Sequence, residues 1–330
     1  MDTRCTRRSF FRRLGVVGCA LPLGAFTHQA EPRRVKRIGF LGGAEPALIA
    51  AFDTELRRLG YVPGENLVVE TRITRPNTSD AATHAAELAH IDLDLVVAGS
   101  LPPALEIRKA APTLAMVIAT CPGIVSNGFA ASLDHPGGHV TGIDELPPGV
   151  TAKRLKLLKT AAPQVLRVAL LSTTPGRGGH EAQLADAQQA AAALGIIVKP
   201  YRATSLPELE AALAALVADG MQGLANFQGG LSVVNRQVIV DFAATHRLPA
   251  VYQATLFAEA GGLMAWAPDL EEQYRVAARY ADQILKGAHP GDLPIRYPSG
   301  YFLTVNARAA NALGVLLPPA LLVQADRVLS

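Results

Sequence analysis

The side chains that most often carry catalysis are thinly spread in this sequence. Its eight histidines are scattered. His135 and His139 stand four apart, but Pro136-Gly137-Gly138 lies between them. That spacing brings side chains together on a helix, and this is a turn, so both read as solvated turn residues. Cys121 ends an apolar run and is followed by Pro122-Gly123. No base is placed in sequence to take its proton, so a buried or loop thiol fits better than a nucleophile. The chain has no Gly-x4-Gly-Lys loop, Gly-x-Ser-x-Gly elbow, His-Glu-x-x-His pair or cysteine pair. Gly176-Arg177-Gly178-Gly179 is an incomplete dinucleotide loop and reads as a flexible loop at a strand end. The expectation is no catalytic residue, no metal, no cofactor, and a protein that is not an enzyme.

Another set of residues recurs in a regular place. Where apolar runs end, the first half of the chain offers Gly42 and Gly43, Ser100 and Thr120. The second half offers Thr173, Asn226, Gln228, Tyr252 and Gln253. These are small, hydroxyl, amide or aromatic groups, suited to hydrogen-bonding a small polar ligand and stacking on its apolar parts. Each taken singly is ordinary loop polarity. Together they occupy one topological position, the carboxyl ends of strands, where open α/β sheets bind ligands.

The elements that must hold them follow from the hydrophobic pattern. Val35–Leu41, Leu67–Thr71, Leu93–Ala98 and Leu114–Ala119 are apolar strand-like runs, separated by helical patterns at Ala47–Leu59, Ser79–Ala89 and Pro102–Ala110. Ser79 or Asp80 is a plausible cap for the second of these helices. The alternation resumes with Ala152–Ala161, Arg167–Leu171, Glu181–Leu194, Ile196–Tyr201, Leu206–Ala218, Gly223–Asn226, Val233–Thr245 and Pro249–Tyr252. Strands that are continuously rather than alternately apolar indicate parallel sheets covered on both faces. The predicted class is α/β, with two doubly wound parallel-sheet lobes joined by a hinge. Ser132–Gly142 breaks the rhythm with a Pro-Gly-Gly turn between the extended segments Gly128–Leu133 and Val140–Ile143, and reads as the crossing between lobes. A cleft between two lobes is a usual place for a small ligand.

The first thirty residues stand apart. Thr6-Arg7-Arg8-Ser9-Phe10-Phe11-Arg12, followed by the apolar run Leu14–Phe26, is a twin-arginine export signal by pattern. The run is shorter than the roughly 20 residues a membrane-spanning helix needs. Val16-Val17-Gly18-Cys19 also fits a lipoprotein box, but apolar residues continue beyond Cys19, so cleavage near Ala30 and a periplasmic location are the better reading. The signal holds five arginines and one aspartate, so the net charge of +3 becomes −1 without it. That leaves no basic face for nucleic acid. Of three cysteines only Cys121 stays, so no internal disulfide forms and stability rests on the core. The roughly 300 residues beyond the signal suffice for two cores.

Longer motifs then point to a family. They are Leu59-Gly60-Tyr61-x-x-Gly64-x-Asn66, Ser132-Leu133-x-x-Pro136-Gly137-Gly138-x-Val140-Thr141-Gly142, Lys153-Arg154-Leu155 and Glu259-Ala260-Gly261-Gly262-Leu263-Met264. Ile284-Leu285-Lys286-Gly287-Ala288-x-Pro290-x-Asp292-Leu293-Pro294 and Asn306-x-x-Ala309-x-x-x-Leu313-Gly314 complete the series. Together the chain resembles the tryptophan/tyrosine-type solute-binding proteins of ABC transporters over nearly its whole mature length. The resemblance implies a type I periplasmic-binding fold with three crossings, Leu270–Leu285 packing on the first lobe and the C-terminal helix on the second. It implies lobes at 31–143 plus about 255–290, and at 144–254 plus about 291–330. It also implies a small organic ligand, amino-acid-like or aromatic, and an ABC permease as membrane partner. Three departures stand out. Thr120-Cys121-Pro122-Gly123 replaces the usual Asp-Pro-Val, His139 the usual Asn, and Trp266-Ala267 the usual Tyr-Gly. The first removes a carboxylate that would meet a ligand's amino group. A sensory protein docked on a receptor is the alternative with the same closing lobes, and an enzyme on a doubly wound fold is the less favoured one.

Overall fold

The computed structural model describes residues 34–43, 45–74, 80–173, 178–227 and 229–330. The export signal, Gln228 and the proposed cap Ser79 lie outside the described residues. Strands β1 (Lys36–Gly42), β2 (Leu67–Ile73), β3 (Leu95–Ala98), β4 (Met116–Cys121) and β5 (Val140–Asp144) form one sheet in the order β2-β1-β3-β4-β5. Every neighbouring pair in it is parallel. Successive β3 residues feed opposite faces. Leu95 and Val97 join a core with Phe40, Phe52, Leu56 and Tyr274, while Val96 and Ala98 join one with Leu41, Leu88, Ala104 and Ile118. This is why the strand is apolar throughout: it has two buried faces. The intervening helices are α1 (Pro46–Arg58), α2 (Asp80–Ala89) and α3 (Leu101–Ala110).

After α4 (Val150–Ala161) come β6 (Arg167–Ser172), α5 (Gly178–Leu194), β7 (Ile197–Arg202), α6 (Leu206–Ala218) and β8 (Gly223–Asn226). The chain continues through α7 (Gly230–Val234), α8 (Arg236–Thr245), β9 (Ala250–Tyr252), α9 (Thr255–Glu259) and β10 (Met264–Pro268). Last come α10 (Leu270–Leu285), a 3-10 turn at Pro290–Asp292, β11 (Tyr301–Asn306), α11 (Ala307–Leu313), α12 (Pro319–Gln324) and β12 (Arg327–Leu329). The second sheet runs β12-β11-β10-β9-β8-β6-β7 and is parallel except where β10 meets β11. Its edge strand β7 carries Lys199 and Pro200, residues that blunt an exposed edge. The expected α/β class with two doubly wound, mostly parallel sheets is what the chain adopts. Among the described residues no helix is long and apolar enough to cross a membrane.

Two boundaries differ from expectation. β10 is hydrogen-bonded between β9 and β11, so α9 and β10 belong to the second sheet, and the return to the first starts at α10 rather than near residue 255. α10 does pack on the first sheet, where Tyr274, Ala277 and Ala281 share a core with Phe52 and Leu56 of α1. The Ser132–Gly142 stretch is not the crossing: β5 is an edge strand of the first sheet, and the chain leaves it at Glu145–Gly149. Gly128–Leu133 is not a strand, although the Leu133 carbonyl accepts from Ile295 N–H at 2.8 Å.

What the Pro-Gly-Gly turn does is clamp. Gly137, with φ of 74°, donates its N–H to the Gly291 carbonyl at 3.0 Å. A Cβ on Gly291 would lie 2.7 Å from the Gly138 carbonyl oxygen. The returning chain then runs beside β5. Thr141 Oγ1 donates to Leu293 O (2.8 Å), Arg296 N–H to Gly142 O (3.2 Å) and Asp144 N–H to Arg296 O (2.9 Å). Gly142 has φ of 149°, and a Cβ there would fall 2.2 Å from the Ile118 carbonyl oxygen, where the β4–β5 register shifts. Only glycine fits that approach.

Candidate ligand-binding cleft

The carboxyl ends of the two sheets face each other. A Cβ placed on Gly179, at the start of α5 just beyond β6, would sit 2.5 Å from the Pro122 carbonyl oxygen just beyond β4. A Cβ on Gly123 would meet the Gly179 nitrogen at 3.1 Å. Two side-chain-free positions therefore let the lobes touch at this end.

The first-sheet wall is nearly bare backbone. Gly42 is buried and Gly43 exposed at the end of β1. Gly42 lies against Gly99, to whose Cα an added Cβ would approach within 3.3 Å. The Gly99 carbonyl accepts from Thr120 Oγ1 (2.9 Å) and Tyr274 Oη (3.2 Å), which fixes the strand-end loop. Ser100 precedes α3 without capping it through its side chain, so its hydroxyl stays available. Behind Thr120, the Asp144 carboxylate accepts N–H groups of Gly123 (2.9 Å), Ile124 (2.9 Å) and Leu146 (3.0 Å). Burial raises the Asp144 pKa, against the opposing pull of those three donors. Burial likewise pushes the Cys121 thiol well up, with Asp144 and Glu145 adding to it, which agrees with an inert thiol.

The second-sheet wall is polar and buried. Thr173 Oγ1 accepts from Ser232 N–H (3.4 Å), and Gln253 Nε2 donates to Ser232 Oγ (3.2 Å). Among the described residues, other polar atoms here find no hydrogen-bond partner: Gln253 Oε1, both amide atoms of Asn226, both ring nitrogens of His180 and the Tyr252 hydroxyl. Each such group costs about 1–3 kcal/mol when left buried and unpaired. His180 was not singled out from sequence. Its only signal there was its place in the first turn of the helix following β6. Burial lowers its pKa, with Glu181 opposing and Arg202 assisting, so near pH 7 the neutral ring offers one donor and one acceptor.

Tyr252 departs from the expected role. Its ring stacks on Phe257 (4.8 Å between centroids) inside the second-lobe core, and a Cβ on Gly262 would meet it at 2.5 Å. Strand alternation explains this: Ala250 and Tyr252 point into one core, Val251 into the other. The structure thus brings Thr173, Asn226 and Gln253 together at one wall's strand ends and Gly42, Ser100 and Thr120 at the other's. Tyr252 belongs to the packing behind them.

Two open, mostly parallel sheets connected by adjacent crossings, with strand ends facing across glycine contacts, define a type I periplasmic-binding fold. A family model described as ABC transporter substrate binding protein matches residues 45–329, and the chain belongs to that family. A tyrosine-binding protein of Clostridioides difficile (strain R20291) is 22% identical over 289 residues, covering 86% of this chain and 83% of that one. A Streptococcus pneumonia ABC domain solved in complex with L-Trp superposes with a TM-score of 0.83 at 22% identity, over 89% of this chain and 99% of that one. A conserved domain protein of Vibrio cholerae gives a TM-score of 0.82 at 23% identity, over 89% of this chain and 100% of that one.

Proposed function

We propose that the protein is exported through the twin-arginine signal and captures a small organic molecule between its lobes for delivery to a membrane permease. The first lobe comprises 35–144 with α10 and the returning chain to about residue 296; the second comprises α4 to β10 with β11 to β12. Ligand contacts come from Ser100, Thr120, Thr173, Asn226, Gln253 and His180, with Gln228 added from its sequence position. The carrying observation is the orphaned polar set on the second wall, opposite a wall of glycine backbone. Such a wall suits a planar or aromatic body lying on glycine, with its polar end turned to neutral amides and an imidazole.

A thermal-shift screen of the mature chain against amino acids, aromatic carboxylates and other small aromatics tests this. A ligand at 100 times its dissociation constant adds about 2.7 kcal/mol of stability. An upward shift with one class, without consumption of the compound, is the expected result; turnover of the compound overturns it. Export is tested separately. Replacing Arg7 and Arg8 by Lys stops accumulation outside the cytoplasm, and normal accumulation rules out the twin-arginine route.

A further inference from the structure

We propose that Glu145 is a proton-operated latch at the hinge: its carboxyl pairs with Gln273 of the first lobe when neutral and turns to Arg154 of the second when ionised. Glu145 is the first residue of the crossing that leaves β5, and only 8% of it is exposed. Its backbone is fixed at both ends. The N–H donates to Cys121 O at 2.8 Å, and its carbonyl accepts from Tyr301 Oη at 2.7 Å. The side chain is the part left free to choose a partner.

The amide that bonds to it and the cation that acts on its charge belong to different lobes. Gln273 lies on α10, which packs on the first sheet, and its Nε2 donates to Glu145 Oε1 at 3.4 Å. Gln273 Oε1 is buried and receives no hydrogen bond from the described residues. A carboxylic acid facing a carboxamide completes both halves of a cyclic pair, accepting N–H at one oxygen and donating O–H from the other. A carboxylate has no proton to give and leaves the Gln273 oxygen unpaired beside negative charge. Arg154 lies on α4, beside Leu155 and Leu158 of the second-lobe core. Its Nε donates to Trp266 O at 3.0 Å, and it is 1% exposed. It exerts an electrostatic pull on Glu145.

Burial, rather than either neighbouring side chain, sets the charge state. Burial raises the Glu145 pKa to about 7, with Asp144 adding and the Gln273 and Arg154 contacts opposing. Burial lowers Arg154 to about 10, so it stays cationic. The other titratable groups facing this point are Asp144 on β5, Cys121 on β4, Tyr274 on α10, Tyr301 on β11 and Tyr297 just before it. Burial raises the thiol and all three phenols, which remain protonated across pH 5 to 8. Because the packed-hinge pKa lies above the ordinary 4.5, the neutral latch stabilises this arrangement fully below about pH 4.5. That stabilisation is lost as pH rises through about 7.

The test uses the ligand-free mature chain, so its outcome is independent of the ligand screen. Carboxyl-13C glutamate labelling, with Glu145 assigned from the Glu145→Gln difference, gives its titration midpoint. Small-angle scattering gives the radius of gyration from pH 5 to 8.5. We expect a midpoint more than 1.5 pH units above the usual glutamate value, a radius that changes at the same midpoint, and a Glu145→Gln variant holding the acid-state radius throughout. Arg154→Met raises the midpoint further. An ordinary midpoint, a radius independent of pH, or a Glu145→Gln variant that follows the wild-type profile overturns the proposal. If that variant does not fold, the shift between labelled wild type and Arg154→Met assigns the resonance, and coincidence of the two wild-type midpoints decides.

Discussion

Asn226 is fully buried at the tip of β8, and among the described residues neither its oxygen nor its nitrogen has a partner. Such a group weakens the free protein and strengthens whatever complex satisfies it. Asn226→Leu is therefore expected to leave the ligand-free stability equal or higher, by up to about 1 kcal/mol, while ligand affinity falls at least tenfold, about 1.4 kcal/mol. Differential scanning fluorimetry with and without the compound found in the screen reads both. Tyr252 has a similarly unpaired hydroxyl but sits in packing. Tyr252→Phe should retain ligand affinity and gain stability. Loss of affinity in Tyr252→Phe by titration calorimetry would return Tyr252 to the site. From sequence alone these two residues looked alike, each a polar group ending an apolar strand. Strand parity, which sends Tyr252 toward Phe257, depends on a register that a three-residue strand does not declare.

Among the elements, α10 depends on sequence-distant partners for its docking. Glu55 of α1 accepts from Arg58 Nε (2.9 Å) and Nη2 (2.7 Å), and from Arg279 Nη1 of α10 (3.0 Å). Hydrogen bonding by Arg58, then by Arg279, holds its carboxyl down to about 2 against the desolvation of burial. A depressed carboxylate contributes stability that is present above its ordinary 4.5 and lost as pH falls toward 2. Glu55→Gln is thus expected to cost about 1 kcal/mol at pH 7, discounted because Arg58 is largely exposed. The variant should also lose less stability than the wild type between pH 5 and 3 in thermal melts. Helix α10 opens on Asp269, whose carboxylate accepts from Glu272 N–H at 3.0 Å. Its partner sheet came only from the family resemblance, because no local signal encodes a contact 224 residues away. The shared motifs proved to be fasteners. Asn66 closes the loop after α1 through Val62 N–H and Gly60 O, and Asn306 caps α11 while holding Ala258 O.

For the molecule as a whole, the approach of the two lobes at Pro122 and Gly179 rests on two missing side chains. Gly179→Val places a branched side chain against Pro122 and is expected to leave both lobes folded, with an unchanged melting temperature. Ligand-induced stabilisation should disappear and the radius of gyration rise. A variant that binds normally would show that the Pro122–Gly179 approach is not needed for the bound state. Class and number of sheets were recoverable from hydrophobic runs, because parallel strands buried on both faces leave an unmistakable composition. The hinge was misplaced by a few residues for a physical reason. Pro136-Gly137-Gly138 looks like a break in the chain, but the Gly137 N–H bond to Gly291 O ties the turn to the returning segment.

That returning segment also limits how the protein can move. With Thr141, Gly142 and Asp144 each bonded to the chain at 293–296, the outgoing and incoming strands form a two-stranded ribbon. Both members of the ribbon belong to the first lobe, so it stiffens that lobe's edge as far as Asp144 and Arg296. Movement of one lobe against the other therefore falls to the short stretches just beyond it, Glu145–Gly149 on the way out and Tyr297–Gly300 on the way back.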